Sequence, residues 1–462
     1  MKVATTVVMT AWLAATALLA GCAAKAPPPP PSALHVPDTW RSTPAAGAPA
    51  TDVLWWQAYG DPALSALVGA ALEHNGDVRI ARARVAEYRA RVALAHSAQQ
   101  PTAGYDAAPA RARALTATGA PRTANVFVAE FQAAYEIDWW GRLQQQTDAA
   151  RASYQAEQAG LDVARLSVAA TVAAGYLNLR GLDAQLELAQ ATLAIRERSR
   201  ALARRQFEVG YSSKLEWLQA QSEYLAASEQ VPQLQRQVCE QENALAVLAG
   251  GNPGPIARGI ALADLAPPQV GAGLPSDLLQ RRPDLARAAR NAQAASAQLA
   301  ATRDQLLPSF RLTVQGGLQS STLHALLADP THLWKLAGIV AGPVTDGGRV
   351  QAQTEAAAFQ RDQALIAYEN TARAAFAETD NALGAIARLR EQLAVNEERR
   401  AQAAETLRIA RNRYRNGYAS YLEELDAQRT LYAADVARLQ LKARLLVATV
   451  DLYRALGGGW GT

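Results

Sequence analysis

Val126-Phe-Val-Ala-Glu-Phe-Gln-Ala-Ala-Tyr-Glu-Ile-Asp-Trp139 is the stretch that decides the fold. Its odd positions, Phe127, Ala129, Phe131, Ala133, Tyr135, Ile137 and Trp139, are all apolar. The even positions include Glu130, Gln132, Glu136 and Asp138. Side chains alternate across a strand, so this reads as a long strand with one greasy face and one wet face. Farther on, Phe310, Leu312, Val314 and Leu318 alternate with Arg311, Thr313, Gln315 and Gln319 in the same way. Tyr105 to Leu115, which alternates weakly, and Leu333 to Val344 are the expected partners. The chain then holds two β-hairpins, 102–139 and 309–345.

The second hairpin is part of a larger duplication. Gly76-Asp77 recurs as Pro283-Asp284, Pro101 as Pro308, Gly141-Arg142 as Gly348-Arg349, Gly210-Tyr211 as Gly417-Tyr418, and Gly250 as Gly457, always 207 residues later. A constant offset across helix breakers and turn residues marks a duplicated architecture. The expected copies are 61–250 and 276–462, joined by a Pro- and Gly-rich connector, 251–275, placed as a girdle at mid-height. In the first copy Asp61-Pro62 opens a helical pattern that runs to about Gln100 with an interruption at Asn75-Gly76. Its counterpart runs 278–307. After each hairpin comes a long helix, 142–209 and 349–416, each of 68 residues without proline. At about 1.5 Å per residue each would be roughly 100 Å long. The tip turns Gly210 and Gly417 end them, because glycine suits the left-handed position past a helix. Return helices follow at 212–249 and 420–456. Leu425, Tyr432, Leu439, Leu446 and Tyr453 recur every seven residues there, as do Tyr224, Val231, Val238 and Leu245, which predicts coiled-coil packing. Pro232 predicts a local distortion. The helices 212–249 and 278–307, end to end, would equal one 68-residue helix.

The N-terminus bears on compartment. Lys2 precedes an uncharged apolar run, Val3 to Ala20, that leads through Gly21 into Cys22. The run has about the length of a spanning helix. Small residues leading straight into a cysteine, followed by a Pro-rich tract, instead resemble a bacterial lipoprotein signal peptide, 1–21. Cys22 would then carry N-acyl and S-diacylglycerol chains and start a lipidated tether, 22–60; Ala23 favours the outer membrane. A net charge of +4 without a basic block gives no support to nucleic-acid binding. Cys239 is expected to be a small packing residue. None of the five histidines has metal-ligand spacing, and His324 and His332 are expected in a loop. No phosphate loop, nucleophile elbow or zinc-protease motif occurs.

Four long amphipathic strands cannot close a barrel, and lipid does not tolerate an open sheet edge. The chain must therefore oligomerise, and three copies would supply twelve strands. The expected fold class is mixed α and β, mostly α.

Several motifs carry a family resemblance: Gly273-Leu-Pro-Ser-Asp-Leu-Leu-Gln-Arg-Arg-Pro-Asp-Leu285, Tyr135-Glu-Ile-Asp-Trp-Trp-Gly-Arg142, Asp426-Ala-Gln-Arg429 and Leu456-Gly-Gly-Gly-Trp460. They resemble the TolC-like outer-membrane efflux lipoproteins of the OprM/NodT branch. The resemblance implies a homotrimer in the bacterial outer membrane: a 12-stranded transmembrane β-barrel on a 12-helix periplasmic α-barrel. It also implies partnership with a periplasmic adaptor and an inner-membrane pump of the resistance-nodulation-division type, organic cargo, no cofactor and no catalysis. A periplasmic gate is implied at Leu422, Asp426 and Arg429, which share one helix face by their i, i+4, i+7 spacing. The competing reading of the last two is a surface Asp–Arg pair stabilising by about 0.2–0.5 kcal/mol. The first copy has Gln219 and Ser222 at the positions of Asp426 and Arg429. The alternative function is a lipid-anchored coiled-coil adaptor or structural protein.

Overall fold

The computed structural model describes residues 34–42 and 54–458. The signal peptide, Cys22 and Trp460 lie outside the described residues. The elements, in chain order, are α1 (Pro62–His74), α2 (Gly76–Ser97), β1 (Thr102–Leu115), β2 (Pro121–Ile137), α3 (Arg142–Glu208), α4 (Lys214–Leu248), α5 (Leu278–Arg281), α6 (Pro283–Arg303), β3 (Ser309–Ser320), α7 (Leu323–Ala328), β4 (Thr331–Ala341), α8 (Arg349–Arg415) and α9 (Tyr421–Ala455). The protein is thus mostly helical with a small sheet. No helix among the described residues is long and apolar enough to cross a membrane.

The 207-residue offset reappears in the helix bounds and in single hydrogen bonds. α3 and α8 have 67 residues each, and α4 and α9 have 35 each. The Tyr211 and Tyr418 amides donate to the Gln206 and Arg413 carbonyls at 2.7 and 2.9 Å. The intervening Gly210 and Gly417 both sit at φ 76°, in the left-handed region. Asn75 Nδ2 donates to the Leu248 carbonyl at 2.9 Å, and Arg282, at the matching position, donates to the Ala455 carbonyl at 3.0 Å. Different residues therefore tie the same two helix ends together in each copy.

Three sequence expectations are corrected. The helix expected over 278–307 is divided: Arg282 is extended at φ −76°, ψ 125°, because a residue before proline avoids the helical region. α6 then gives way to a 3-10 turn, Asp304–Leu306, so the match of two intact shorter helices to one long one does not hold. The last strand ends at Ala341 rather than Val344, since Pro343 lacks a ladder donor. A short helix, α7, capped by the Thr322 hydroxyl, precedes β4, so His324 lies in a helix and His332 in a strand rather than in a loop. Pro232 stays inside α4 without ending it.

The described residues form two compact units. One comprises residues 84–158 and 287–369 and holds the sheet. Its order is β1-β2-β3-β4, antiparallel throughout. β2 and β3 come from different copies and pair from Phe127↔Ser320 to Ile137↔Phe310, which joins the two hairpins into one sheet. The register sorts side chains by row. Tyr105, Phe131, Gly316 and Trp334 share one row; Ala103, Ala133, Val314 and Leu336 share another; Ile137, Phe310 and Val340 share a third. All three rows fall on the same face. Asp106 and Glu130, then Gln132, Gln315 and Lys335, then Glu136 and Arg311 occupy rows of the opposite face. The apolar face is bare in the single chain: Tyr105, Phe131 and Trp334 are 79%, 74% and 83% exposed. At the helix-proximal end Asp138 caps α3, accepting from the Leu143 and Gln144 amides at 3.1 and 2.8 Å, and Asp346 caps α8 through the Gly348 and Val350 amides.

The second unit comprises the described residues within 34–83, 159–286 and 370–462. Its core gathers the α1 residues Leu64 and Val68, Tyr176 and Leu177 of α3, Leu245 of α4, and Leu446 and Tyr453 of α9. Trp55 is 1% exposed and stacks on Tyr453 with ring centroids 5.1 Å apart. The end of the expected tether is therefore a core element. Asp61 is the polar node of this core. Its buried carboxylate accepts from the Ala63 and Leu64 amides as a helix cap, from the Tyr176 hydroxyl at 2.8 Å and from the Ile260 amide at 3.0 Å. Tyr176 in turn accepts from the Gly259 amide at 2.9 Å. A Cβ on Gly259 would lie 2.0 Å from the Asp61 carboxylate, so only glycine lets the connector approach this closely.

Candidate functional site

Leu422, Asp426 and Arg429 lie in the first turns of α9, beyond the Gly417 turn. All three are exposed, whereas the neighbouring Tyr421, Leu425 and Gln428 are buried. Tyr421 and Leu425 pack with Ala203 of α3, Ala220 of α4 and Tyr414 of α8. The helix therefore has an inner face that packs the four helices together and an exposed face that carries Leu422, Asp426 and Arg429.

Arg429 does not pair with Asp426. Its Nε donates to Glu223 Oε1 of α4 at 3.0 Å, with a second, shorter contact from the same guanidinium. The surface Asp–Arg pair within one helix is thus replaced by a bridge between the two return helices. That bridge also raises the Arg429 pKa above its ordinary value. Glu223 is only 12% exposed at its side chain and has a second cation, Arg196 of α3, at 3.4 Å. Arg196, 6% exposed, also donates to Gln428. Gln428 donates to Glu424 at 2.8 Å, and Glu424 accepts from Arg411 of α8 at 3.2 Å. One chain of polar contacts therefore runs through α3, α4, α8 and α9. Such a network fixes relative helix positions because each member, once buried, needs its partners. Burial, then the nearby Glu216 and Glu424, push the Tyr414 hydroxyl up to about 12, and burial raises Tyr421 as well, so both stay protonated near neutral pH.

Sequence reading singled out Asp426 and Arg429 but missed Glu223 and Arg196. The missing signal is long-range: Glu223 stands 206 residues from Arg429, and only the heptad register of the return helices could have aligned them. Cys239, expected to pack inside, is exposed in the chain. Among the described residues no group of three or more His, Cys, Asp or Glu side chains is arranged to hold a metal ion.

The profile of the family described as outer membrane efflux protein matches residues 67–251 and 274–458. The chain belongs to the outer membrane efflux protein family. The two matched stretches keep the same 207-residue offset, so the family unit is matched once in each copy. The chain is 34% identical to the pyoverdine export outer membrane protein OpmQ of Pseudomonas putida, with 95% of each chain covered. It is 32% identical to the toluene efflux pump outer membrane protein TtgC of Pseudomonas putida, over 97% of this chain and 95% of that one. Its fold superposes on a crystal structure of a membrane protein from Pseudomonas aeruginosa with a TM-score of 0.85, at 29% identity, covering 95% of this chain and 98% of the other. As a member of this family the chain is an outer-membrane efflux channel of a tripartite pump, extending into the periplasm.

Proposed function

We propose that three copies of the chain close a twelve-stranded β-barrel above a twelve-helix periplasmic α-barrel and so form an exit duct for small molecules. One observation carries this reading. Within the chain β1 pairs only with β2 and β4 only with β3, which leaves both sheet edges open beside a bare apolar face. Each unpaired backbone group in hydrocarbon costs several kcal/mol. β1 and β4 run antiparallel, so β4 of one copy can pair with β1 of the next, and a threefold ring removes every edge. A coiled-coil adaptor, the competing reading, would have no use for such a sheet.

The apolar rows then face lipid and the rows with Glu130, Gln132, Gln315 and Lys335 face the water-filled bore. The duct binds no cofactor and carries out no reaction. It receives cargo from an inner-membrane pump of the resistance-nodulation-division type through a periplasmic adaptor. The pump selects the cargo, in keeping with relatives whose names cite pyoverdine and toluene. Organic compounds fit better than metal ions, because the only methionines, Met1 and Met9, lie in the expected signal peptide. Diacylglycerol and an acyl chain on Cys22 anchor the chain; two such signals hold a protein to a membrane where one does not. Leu422, Asp426 and Arg429 form the periplasmic gate. Only the second copy carries Asp426 and Arg429; the first has Gln219 and Ser222 at these positions, so the α8–α9 tip moves more than the α3–α4 tip on opening.

Single-channel recording in planar bilayers tests the reading. Discrete, long-lived conductance steps from the purified protein are expected; a protein that binds the bilayer without conductance would be an adaptor.

A further inference from the structure

β1 and β2 run past the end of the four-stranded sheet. Six rows, from Ala110↔Val126 to Leu115↔Pro121, have no counterpart in β3 or β4. This ribbon ends in the turn at Gly119, at the opposite end of the strands from the Asp138 and Asp346 helix caps. Arg111↔Asn125 and Arg113↔Thr123 continue the parity of Phe127↔Pro109, so both arginines stand on the face that carries Tyr105, Phe131 and Trp334. Arg122↔Ala114 lies on the other face. All three are exposed. From 107 to 129 the sequence has no Asp or Glu, so the ribbon holds no carboxylate to neutralise them.

The spacing places these arginines relative to lipid. On that face the rows from Ile137 to Phe127 are apolar apart from His332 and Ser320. Ten residues at about 3.4 Å, foreshortened by a tilt of roughly 40°, cover about 26 Å, close to the height of an outer-membrane apolar band. On the same scale Arg111 sits about 5 Å above the band and Arg113 about 10 Å above it. That is the level of headgroups, and guanidinium forks match phosphate oxygens bidentately.

We propose that Arg111 and Arg113 form a docking surface for the phosphate groups of the outer-leaflet glycolipid. The inference rests on the reading that the sheet crosses the membrane. The occupant follows from charge and position: the ribbon points away from the periplasmic helices, and the phosphorylated glycolipid faces that side of an outer membrane. The two arginines then fix the height of the barrel and recruit a lipid collar around it.

The test uses the full chain in detergent with Cys239→Ala, titrated with bis-phosphorylated lipid A or with phosphatidylglycerol and read by native mass spectrometry. Arg111→Gln/Arg113→Gln is expected to weaken lipid A binding about tenfold or more, given the attraction of each basic residue to an anionic surface. Arg122→Gln should leave it unchanged, Arg111→Lys/Arg113→Lys should retain most of it, and phosphatidylglycerol should bind more weakly than lipid A. Equal lipid A binding by the glutamine variant, an equal loss in Arg122→Gln, or equal affinity for phosphatidylglycerol would overturn the proposal. A second readout isolates the underlying reading. In proteoliposomes Leu336→Cys should resist a membrane-impermeant maleimide while Thr118→Cys reacts. Equal labelling would sink the membrane reading itself, whereas protection of Leu336→Cys without any arginine effect would sink only the glycolipid site.

Discussion

Arg429→Ala and Glu223→Ala remove the same bridge from opposite ends, and the structure assigns them different costs. Arg429 is 58% exposed at its side chain, so its pair with Glu223 is worth about 0.5–1 kcal/mol. Its loss leaves Glu223 still paired with Arg196. In a threefold assembly whose opening releases three such bridges together, the closed state loses about 1.5–3 kcal/mol, a shift of roughly 10- to 150-fold toward open. Glu223→Ala does more. It removes the carboxylate partner of Arg196, only 6% exposed, and leaves it Gln428 and the Tyr421 hydroxyl. Removing one member of a buried pair costs about 3–5 kcal/mol, so this variant should loosen the four-helix tip as well as open it. The assay is open probability in planar bilayers, paired with limited proteolysis at the Gly417 turn. Arg429→Ala should raise open probability with little change in cleavage, and Glu223→Ala should raise both. Wild-type open probability in Arg429→Ala, or equal proteolysis of the two variants, would refute the assignment of the bridge to the gate.

Four further outcomes follow. Burial, with a smaller opposing effect from the Gly259 amide, pushes the Tyr176 hydroxyl up to about 12. The pKa is raised above its unfolded value, so this stabilisation is complete below about pH 10 and is lost as the pH rises toward 12. Alkaline melting curves should steepen in that window for the wild type and flatten for Tyr176→Phe; superimposable curves would contradict the node. Gly210→Ala faces only left-handed strain, about 1–2 kcal/mol, because nothing lies within 4 Å of its Cβ. Gly250→Ala would meet the His74 carbonyl at 2.6 Å and should fail to assemble, which gel analysis of the trimer can check. Radiolabelled palmitate should be absent from Cys22→Ser; undiminished incorporation would remove the proposed anchor.

Much of the fold was legible because periodicity is local. The alternation at 126–139 named a strand, the helix breakers exposed the 207-residue offset, and Gly210 and Gly417 marked both turns. What was hidden depended on contacts far apart in sequence. Nothing in β2 or β3 alone says that they pair with each other rather than with a neighbouring chain. Asp61 reads as a helix cap, which it is, but its bonds to Tyr176 and Ile260 cross 115 and 199 residues. The motif around Asp138 resembles the end of a strand, yet its carboxylate caps the next helix. At the proposed gate, spacing put Leu422, Asp426 and Arg429 on one face of α9, which the structure leaves exposed, but it offered the wrong partner for Arg429, because a pair at i, i+3 is visible in one helix and a bridge between two helices is not. The division at Arg282 was readable in principle, since it precedes proline, but the length match of the two shorter helices obscured it.

A sheet with two open edges becomes tolerable in lipid only as a closed ring of three chains. The mass of the detergent-purified particle, measured by native mass spectrometry, tests it most directly. Three chains per particle are expected, reduced to single chains when prolines at Leu336 and Gly338 block the ladder along the β4 edge. A stable monomer that inserts into bilayers and conducts, or a trimer indifferent to those prolines, would contradict it.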